Sequence, residues 1–181
     1  YNGAHVDEIA DRAGVNKATI YYLIGDKDTL YAAVIHQVIG NTAQNIAQVV
    51  SSAGNPEEKI KAYISFIAGT VDKNPELPSI MMREVASGGM TMPRVVMKDI
   101  ASVLTILAGI LDEGEKRGVF IETEPFLIHM MIMGIILFYT KASPIKDKQS
   151  WIPAALKFHD KKLKRSLAEE VAALVLKAIK R

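Results

Sequence analysis

The sequence predicts an all-α protein, with short helices at the N-terminus followed by five or six longer ones. Apolar residues recur at the spacing of an amphipathic helix along most of the 181 residues. No stretch shows the sustained alternation of apolar and polar residues that is typical of a β-strand. The hydrophobic fraction of 49% supplies a sizeable core, and the charged fraction of 23% is ordinary for a soluble protein.

Composition excludes several classes of chemistry. Cysteine is absent, so the chain has no disulfide framework, thiol nucleophile or thiolate metal site, which is compatible with a cytoplasmic location. The longest apolar run, Phe126–Thr140, has 15 residues and contains a histidine. Because a helix needs about 20 apolar residues to span a bilayer, we expect no stable membrane insertion. A buried core or interface helix is the preferred interpretation.

Two short helices open the chain. The segment VDEIADRA places its apolar residues on one face, and Gly14 ends it, because glycine tolerates the left-handed conformation at a helix terminus. Asn16 can cap a second helix, Lys17–Leu23, by accepting a hydrogen bond from its free N–H groups. Gly25 ends this helix, and Asp26 begins a long one that reaches about Val50.

Helical segments follow, separated by breaks at proline and glycine. They are predicted at 56–72, 76–86, 93–117, 125–141 and about 160–180, with a loop at 143–153. We divide the chain into a small domain, 1–45, and a larger domain, 46–181. The long helix from Asp26 joins the two.

The first two helices and their tight turn predict a helix-turn-helix, although two solvated helices of any α bundle would show the same periodicity. Ile20 and Ala10 are expected to face inward. The second helix then presents amide, amine, hydroxyl and phenol groups, which suit phosphate oxygens and base edges. A small alanine among them permits close approach to a groove. These residues are Asn16, Lys17, Ala18, Thr19, Tyr21 and Tyr22.

Charge alone indicates a different region. The net charge is −2 over residues 1–36, −3 over 37–140 and +7 over 141–181. We expect the basic tail to be a solvated face, with a nucleic-acid or membrane-surface role as alternatives; it includes Lys161, Lys162, Lys164 and Arg165. The acids of the first helix are expected to face away from DNA or to neutralise the positive end of their own helix.

The segment VDEIADRAGVNKATIYYLIGDKDTLYAAVI resembles the DNA-binding signature of the TetR family of transcriptional repressors. The match includes the V-x-x-I-A helix, the A-G-V turn, the K-x-T-I-Y helix and the K-x-x-L-Y-x-A-V start of the next helix. The rest of the chain resembles the family only in helical layout and length. The resemblance implies a homodimeric repressor that binds a palindromic double-stranded operator and is released by a small effector.

The resemblance also assigns roles to residues. It places Lys17, Thr19, Tyr21 and Tyr22 at DNA-contact positions, Lys27 at a phosphate-contact position, and Asn16 at the capping position. Two departures are visible. Leu23-Ile24-Gly25 lacks the usual aromatic and polar residues, and His5 stands where serine or threonine usually caps the helix. Family members have a further helix before the segment that YNGAHV matches, so we expect a segment to precede Tyr1.

The larger domain is expected to bind the effector. All eight methionines lie between Met81 and Met133, and flexible, polarisable side chains of this kind can line a cavity for apolar ligands. Ordinary core packing is the alternative. The predicted pocket for a small hydrophobic or aromatic effector consists of Tyr63, Phe66, Met81, Met82, Met97, Phe126, His129, Met130 and Met133. The neighbouring Arg83-Glu84 pair is expected to be a solvated ion pair, with a polar handle inside the pocket as the alternative.

The last two helices are expected to form the dimer interface. The helix Pro125–Lys141 is apolar nearly all round, so it must be buried on more than one face. Pairing it with the final amphipathic helix would give each protomer two interface helices, as in the family. Complete burial within the monomer is the alternative.

Nothing in the sequence favours catalysis. The four histidines form no spaced metal set, and neither a nucleophile elbow nor a phosphate-binding glycine loop is present. We therefore predict no catalytic residues, metal or cofactor. The competing hypotheses are a helical protein-interaction or membrane-surface module and an unrecognised helical enzyme.

Overall fold

The computed structural model describes residues 5–148 and 167–181. Its helices are α1 (Val6–Ala13), α2 (Lys17–Leu23), α3 (Lys27–Ser51), α4 (Pro56–Lys73), α5 (Leu77–Ala86), α6 (Arg94–Lys116), α7 (Pro125–Lys148) and α8 (Leu167–Ile179). Over these ranges the extended structure is limited to one isolated antiparallel bridge, between Phe120 and Lys180. The all-α prediction is therefore confirmed.

Local caps set the ends of the first helices. Gly14 ends α1 with a φ of 66°, in the left-handed region. The Asn16 Oδ1 atom caps α2 by accepting the backbone N–H of Thr19 at 2.7 Å. Asp26 caps α3 in the same way, accepting the backbone N–H of Thr29 at 2.8 Å. These three boundaries are placed as the sequence predicts.

Buried residues form three clusters, and α3 contributes to all of them or packs against them. The head cluster contains Val6, Ala10 and Ile20, with Ile9 and Leu30 packed against it. A second cluster joins Ile35 and Ile39 of α3 to Val96 of α6. The main core includes Ile46, Ile60, Leu107, Ile132 and Val175, from α3, α4, α6, α7 and α8. One continuous helix therefore connects the head to the larger domain.

The predicted domain boundary, 45/46, falls inside α3. Along this helix the packing partner changes earlier, because Leu30 belongs with the head cluster and Ile35 with the second cluster. The helix itself continues without a break through both regions. The division at 45/46 therefore stays a prediction.

Helix α7 is longer than predicted. It runs to Lys148 with Pro144 inside it, so its last turns occupy part of the predicted 143–153 loop. The 20-residue stretch Pro125–Pro144 could cross a membrane by length and composition alone, a test that core helices of soluble proteins also pass. Here α7 packs against α4, α5, α6 and α8. The apolar stretch is therefore longer than the 15-residue run on which the expectation of no membrane insertion rests, and that expectation stays a prediction.

The C-terminus is tied to the linker that follows α6. The backbone N–H of Ile121 donates to the Ile179 carbonyl at 2.8 Å, and that of Arg181 donates to the Val119 carbonyl at 3.1 Å. These bonds fix the end of α8 against the α6–α7 linker. The predicted start of the last helix, 160–166, and the basic residues within it lie outside the described residues.

Candidate nucleic-acid interface and effector cavity

The predicted DNA-contact residues share one exposed face of α2. Lys17 and Tyr21, like Ala18 and Tyr22, are four residues apart, which is the spacing of neighbours on a helix surface. Tyr22 is 88% exposed and Tyr21 is 46% exposed. Ile20 points the opposite way, into the head cluster, as predicted. The head thus presents a polar and aromatic face above a small apolar core.

Asn16 and Thr19 are linked to each other. The Asn16 Oδ1 atom accepts both the backbone N–H and the hydroxyl of Thr19, the latter at 2.8 Å. The Asn16 amide group and the Thr19 oxygen lone pairs are the parts of this cap that could still meet DNA. Lys27 lies partly buried in the first turn of α3. Contact of these residues with DNA stays a prediction.

An acidic residue meets the predicted contact face. The Lys17 ammonium group donates to an Asp7 carboxylate oxygen at 2.9 Å, and this hydrogen bond raises the pKa of Lys17. Asp7 also lies in the first turn of α1, where its charge can neutralise the positive end of that helix, which is the second of the two expectations for these acids. The sequence places Asp7 and Lys17 in different helices, and the crossing of α1 and α2 brings them together.

The two departures from the family pattern have structural counterparts. Leu23, the last residue of α2, is 72% exposed, so the end of this helix presents an apolar side chain where the family resemblance implies a polar contact. His5 occupies the N-cap of α1 with an extended backbone, but its side chain makes no capping hydrogen bond. Leu23 therefore offers no polar group for a DNA contact, and the His5 side chain does not cap α1.

A cavity of about 70 Å³ lies between α3, α4, α5, α6 and α7. Three of the predicted pocket residues line it: Met81, His129 and Met133. The remaining lining residues are Ile39, Thr42, Ile67, Thr70, Val71, Leu77, Ile100 and Val103. These residues are not among the predicted ones, although threonines on apolar helix faces, at 42 and 70, indicate polar groups inside the core.

Several other predicted pocket residues lie elsewhere. Tyr63 is fully buried behind His129, while Phe66 and Met82 are half-buried outside the cavity lining. Met97, Phe126 and Met130 are 53%, 54% and 42% exposed. For these three residues the pocket assignment is wrong, because they lie on outward faces of α6 and α7. Clustering of methionines in sequence does not fix which face each one occupies.

The polar centre of the cavity wall is neutral. The Tyr63 hydroxyl lies 3.0 Å from Nδ1 of His129, and burial lowers the pKa of His129 while raising the pKa of Tyr63. None of the described residues that line the cavity carries a charge. Within residues 5–148 and 167–181, no group of three or more His, Asp or Glu side chains is placed to hold a metal ion.

A buried carboxylate connects α5 to α3. Glu84 is 2% exposed, and its two oxygens accept the Tyr31 hydroxyl at 2.8 Å and the Thr91 hydroxyl at 2.6 Å. Burial, followed by the hydrogen bond to Glu84, raises the pKa of Tyr31. The expectation of a solvated Arg83-Glu84 ion pair is therefore wrong for Glu84. The preceding turn of α5 carries Met81, which lines the cavity.

An apolar face remains exposed on α7 and α8. Its members on α7 are Phe126, Leu127, Met130 and Phe138, and Leu174 is the exposed leucine of α8. Gly134 lies on α7 between them, and a Cβ atom added there would have no atom within 4 Å. Complete burial of α7 within the monomer, the alternative interpretation, is therefore wrong.

A helix-turn-helix head joined to a larger helical domain with an internal cavity is the architecture of a DNA-binding transcriptional regulator. Two family models match the chain: "Bacterial regulatory proteins, tetR family" at residues 1–34, and "Tetracyclin repressor-like, C-terminal domain" at residues 56–147. The chain belongs to the TetR family.

Individual relatives agree with this assignment. The transcriptional repressor NicS of Pseudomonas putida is 22% identical over 183 residues, covering 100% of this chain and 85% of NicS. The transcriptional activator FasR of Mycolicibacterium smegmatis is 33% identical over 64 residues, covering 35% of this chain and 29% of FasR. The fold is similar to that of FadR from Bacillus subtilis in complex with stearoyl-CoA, with a TM-score of 0.75, 21% identity and coverage of 97% and 89%.

Proposed function

We propose that the protein is a homodimeric, ligand-responsive repressor that binds a palindromic operator and is released from it by a small, mainly apolar effector. The observation that carries this proposal is the exposed face of α2, which is held outward by burial of Ile20. The next helix along the chain, α3, also lines the cavity. Binding to chromosomal DNA would place the protein in the cytoplasm.

Each recognition helix would enter one major groove. Lys17 and Lys27 supply positive charge for phosphates, while Ala18, Tyr21 and Tyr22 offer small and aromatic surfaces to base edges. The Asn16–Thr19 cap would sit at the N-terminal end of α2, where N–H groups favour a phosphate. Two such helices in a dimer would read half-sites one helical turn apart.

Dimerisation would join α7 and α8 of two protomers into a four-helix interface. The exposed apolar side chains of α7, together with Leu174, supply the buried surface that such an interface needs. Gly134 lies where the backbones of two α7 helices could approach closely. This arrangement sets the distance between the two recognition helices.

Effector binding would act through α3. The cavity wall includes Ile39 and Thr42 of α3, and Tyr31 on the same helix is bonded to the buried Glu84 of α5. A ligand that separates α3 from α5 would tilt α3 and move the head. It can release DNA only if it binds the tilted state more tightly than the DNA-bound state.

The decisive experiment is selection of bound sequences from a random DNA pool, using the complete natural protein. We expect a palindrome whose binding weakens steeply with salt. Lys17→Ala and Tyr21→Ala should each weaken binding, whereas Lys61→Ala, which removes an exposed lysine of α4, should not. Unchanged affinity in both head variants would overturn the assignment of α2 as the recognition helix.

The sign of regulation needs a separate measurement, because the relatives include the repressor NicS and the activator FasR. A reporter gene placed behind the selected operator should be expressed less when the protein is present. Higher expression would identify an activator and leave the DNA-binding assignment intact.

A further inference from the structure

The hydroxyl groups of the cavity wall are already used as donors. The Thr42 hydroxyl donates to the Val38 carbonyl at 2.7 Å, and the Thr70 hydroxyl donates to the Phe66 carbonyl at 3.0 Å. Each hydroxyl therefore presents only oxygen lone pairs to a cavity ligand. Among the described lining residues, this leaves His129 as the side chain that could donate a hydrogen bond.

The position of Tyr63 fixes how His129 is protonated. Tyr63 is fully buried, and its hydroxyl lies 3.0 Å from Nδ1 of His129. The other acceptor nearby is the Val103 carbonyl at 3.5 Å, which exceeds the usual O–H···O distance of about 2.5–3.0 Å. A buried hydroxyl that does not donate is costly. Tyr63 therefore donates to Nδ1, and Nδ1 must be the unprotonated nitrogen.

The second nitrogen of His129 is then a donor. A neutral imidazole carries one proton, so with Nδ1 accepting from Tyr63 that proton lies on Nε2. Burial lowers the pKa of His129, which keeps the ring neutral near pH 7. In the part of the chain that the structure describes, Nε2 has no hydrogen-bond partner, and His129 lines the cavity.

We propose that the cavity selects a small, neutral, mainly apolar molecule bearing a carbonyl group, such as a ketone, aldehyde or ester, whose oxygen accepts the Nε2 proton of His129. This inference deepens the proposed function by naming the chemical class of effector for the same cavity. An anionic ligand is disfavoured because none of the described lining residues offers a charge to compensate it.

The size of the cavity sets a further limit. Its volume of about 70 Å³ is below the roughly 150 Å³ of an apolar cavity known to hold benzene. A ring-sized ligand therefore requires movement of the flexible side chains of Met81 and Met133, on α5 and α7. Displacement of Met81 would press on the helix that carries Glu84.

Three ring-matched probes test the proposal: cyclohexanone, its hydrocarbon isostere methylenecyclohexane, and cyclohexanecarboxylate. Binding is measured by NMR on the complete protein labelled with ¹⁵N-histidine, without DNA. We expect His129 to be neutral with its proton on Nε2, and cyclohexanone to shift the Nε2 resonance. The ketone should bind about fivefold more tightly than the hydrocarbon, as one net hydrogen bond provides. The carboxylate should bind most weakly.

Variants identify the group responsible. His129→Phe should bind the ketone and the hydrocarbon equally, whereas Thr42→Val, which removes an acceptor from the same wall, should keep the preference for the ketone. Tyr63→Phe should shift the His129 proton away from Nε2. The hydrogen bond between Tyr63 and His129 therefore remains testable if His129→Phe does not fold. A proton on Nδ1 in the natural protein would overturn the proposal. So would equal affinities, a preference that survives in His129→Phe, or no binding of cyclohexanone at millimolar concentration.

These readouts are independent of operator binding. If cyclohexanone binds as expected but leaves the affinity for the operator unchanged, the chemistry of the cavity stands and the effector role of such ligands fails. If the protein binds no operator at all, the proposed function fails while the tautomer and the ketone preference can still be measured.

Discussion

The charge presented by the recognition helix depends on the ion pair between Lys17 and Asp7. Both side chains are well exposed, so solvent screening leaves the pair little effect on folding. Its larger effect falls on DNA binding. While Lys17 is bonded to Asp7, a phosphate must compete with the carboxylate for the ammonium group.

We predict that Asp7→Asn raises operator affinity at low salt and steepens its salt dependence, because Lys17 becomes free to neutralise a phosphate. Asp11→Asn is the matched control, since it removes the same charge from an exposed position of the same helix. Fluorescence anisotropy with labelled operator over a range of salt concentrations measures both quantities. An equal gain in the two variants would show that net charge, and not the release of Lys17, is responsible.

His129 makes the stability of the protein depend on pH. Its pKa is lowered from the ordinary 6.5 because burial disfavours the charged ring. Below about pH 6.5 the unfolded chain binds a proton at this residue that the folded protein does not. The contribution of His129 therefore lowers the free energy of unfolding as the pH falls, and this contribution is constant above that pH. Urea unfolding across this range should show a smaller fall for His129→Phe. His5→Gln, at an exposed position, controls for the loss of one histidine.

The sequence correctly predicts residues whose role is set by their immediate neighbours. Gly14, Asn16 and Asp26 each end or begin a helix through groups within four residues, so the chain itself specifies them. The burial of Glu84 and the contact of Asp7 with Lys17 are not predicted, because the partners come from other helices. The distance between such groups depends on how the helices cross.

At the scale of helices, the same limit appears in α7. An amphipathic helix such as α8 shows its inward face through its periodicity, and Val171 and Ile179 are buried on that face. Helix α7 is apolar nearly all round, so its pattern does not show which side meets the core. Phe126 and Met130 were therefore assigned to the cavity, although they lie on the exposed face.

Helix α6 contains two glycines with opposite environments. A Cβ atom at Gly114 would overlap the ring of Phe120, which is itself 1% exposed. A Cβ atom at Gly109, on the exposed side of the same helix, would have no atom within 4 Å. The first glycine is required by packing, and the second is not.

We predict that Gly114→Ala lowers the free energy of unfolding by about 1–3 kcal/mol, because the Phe120 ring must leave its position. Gly109→Ala should raise it by about 0.5–1 kcal/mol through higher helix propensity. Urea denaturation of the two variants provides the comparison. Equal effects would mean that Phe120 does not hold the α6–α7 linker against Gly114.

At the scale of the whole molecule, α3 is the continuous helix that connects the head to the larger domain. Its first turns pack with the head cluster, its middle lines the cavity, and its last turns enter the main core. In the proposed mechanism, a displacement at the cavity would move the head through this continuous helix. In a dimer, the distance between the two recognition helices would then depend on which faces of the protomers join.

Variants of the exposed face of α7 test the proposed dimer interface. In the isolated protomer Gly134 has open space around it, so Gly134→Leu should leave the fold intact. In a dimer joined through α7 the new side chain would separate the two helices. We predict that Gly134→Leu and Phe138→Ser each weaken dimerisation at least about tenfold, equivalent to 1.4 kcal/mol. Gly109→Ala serves as the control.

Sedimentation equilibrium measures dimerisation, and anisotropy with whole and half operators measures its consequence. Both interface variants should bind the whole palindrome more weakly, because two linked heads no longer engage it together, while their affinity for a half-site should be unchanged. This pattern differs from that of a damaged head, such as Lys17→Ala, which should weaken binding to both DNAs. If both interface variants remain dimers of undiminished affinity, the subunits join through another face, and the spacing of the recognition helices must be set elsewhere.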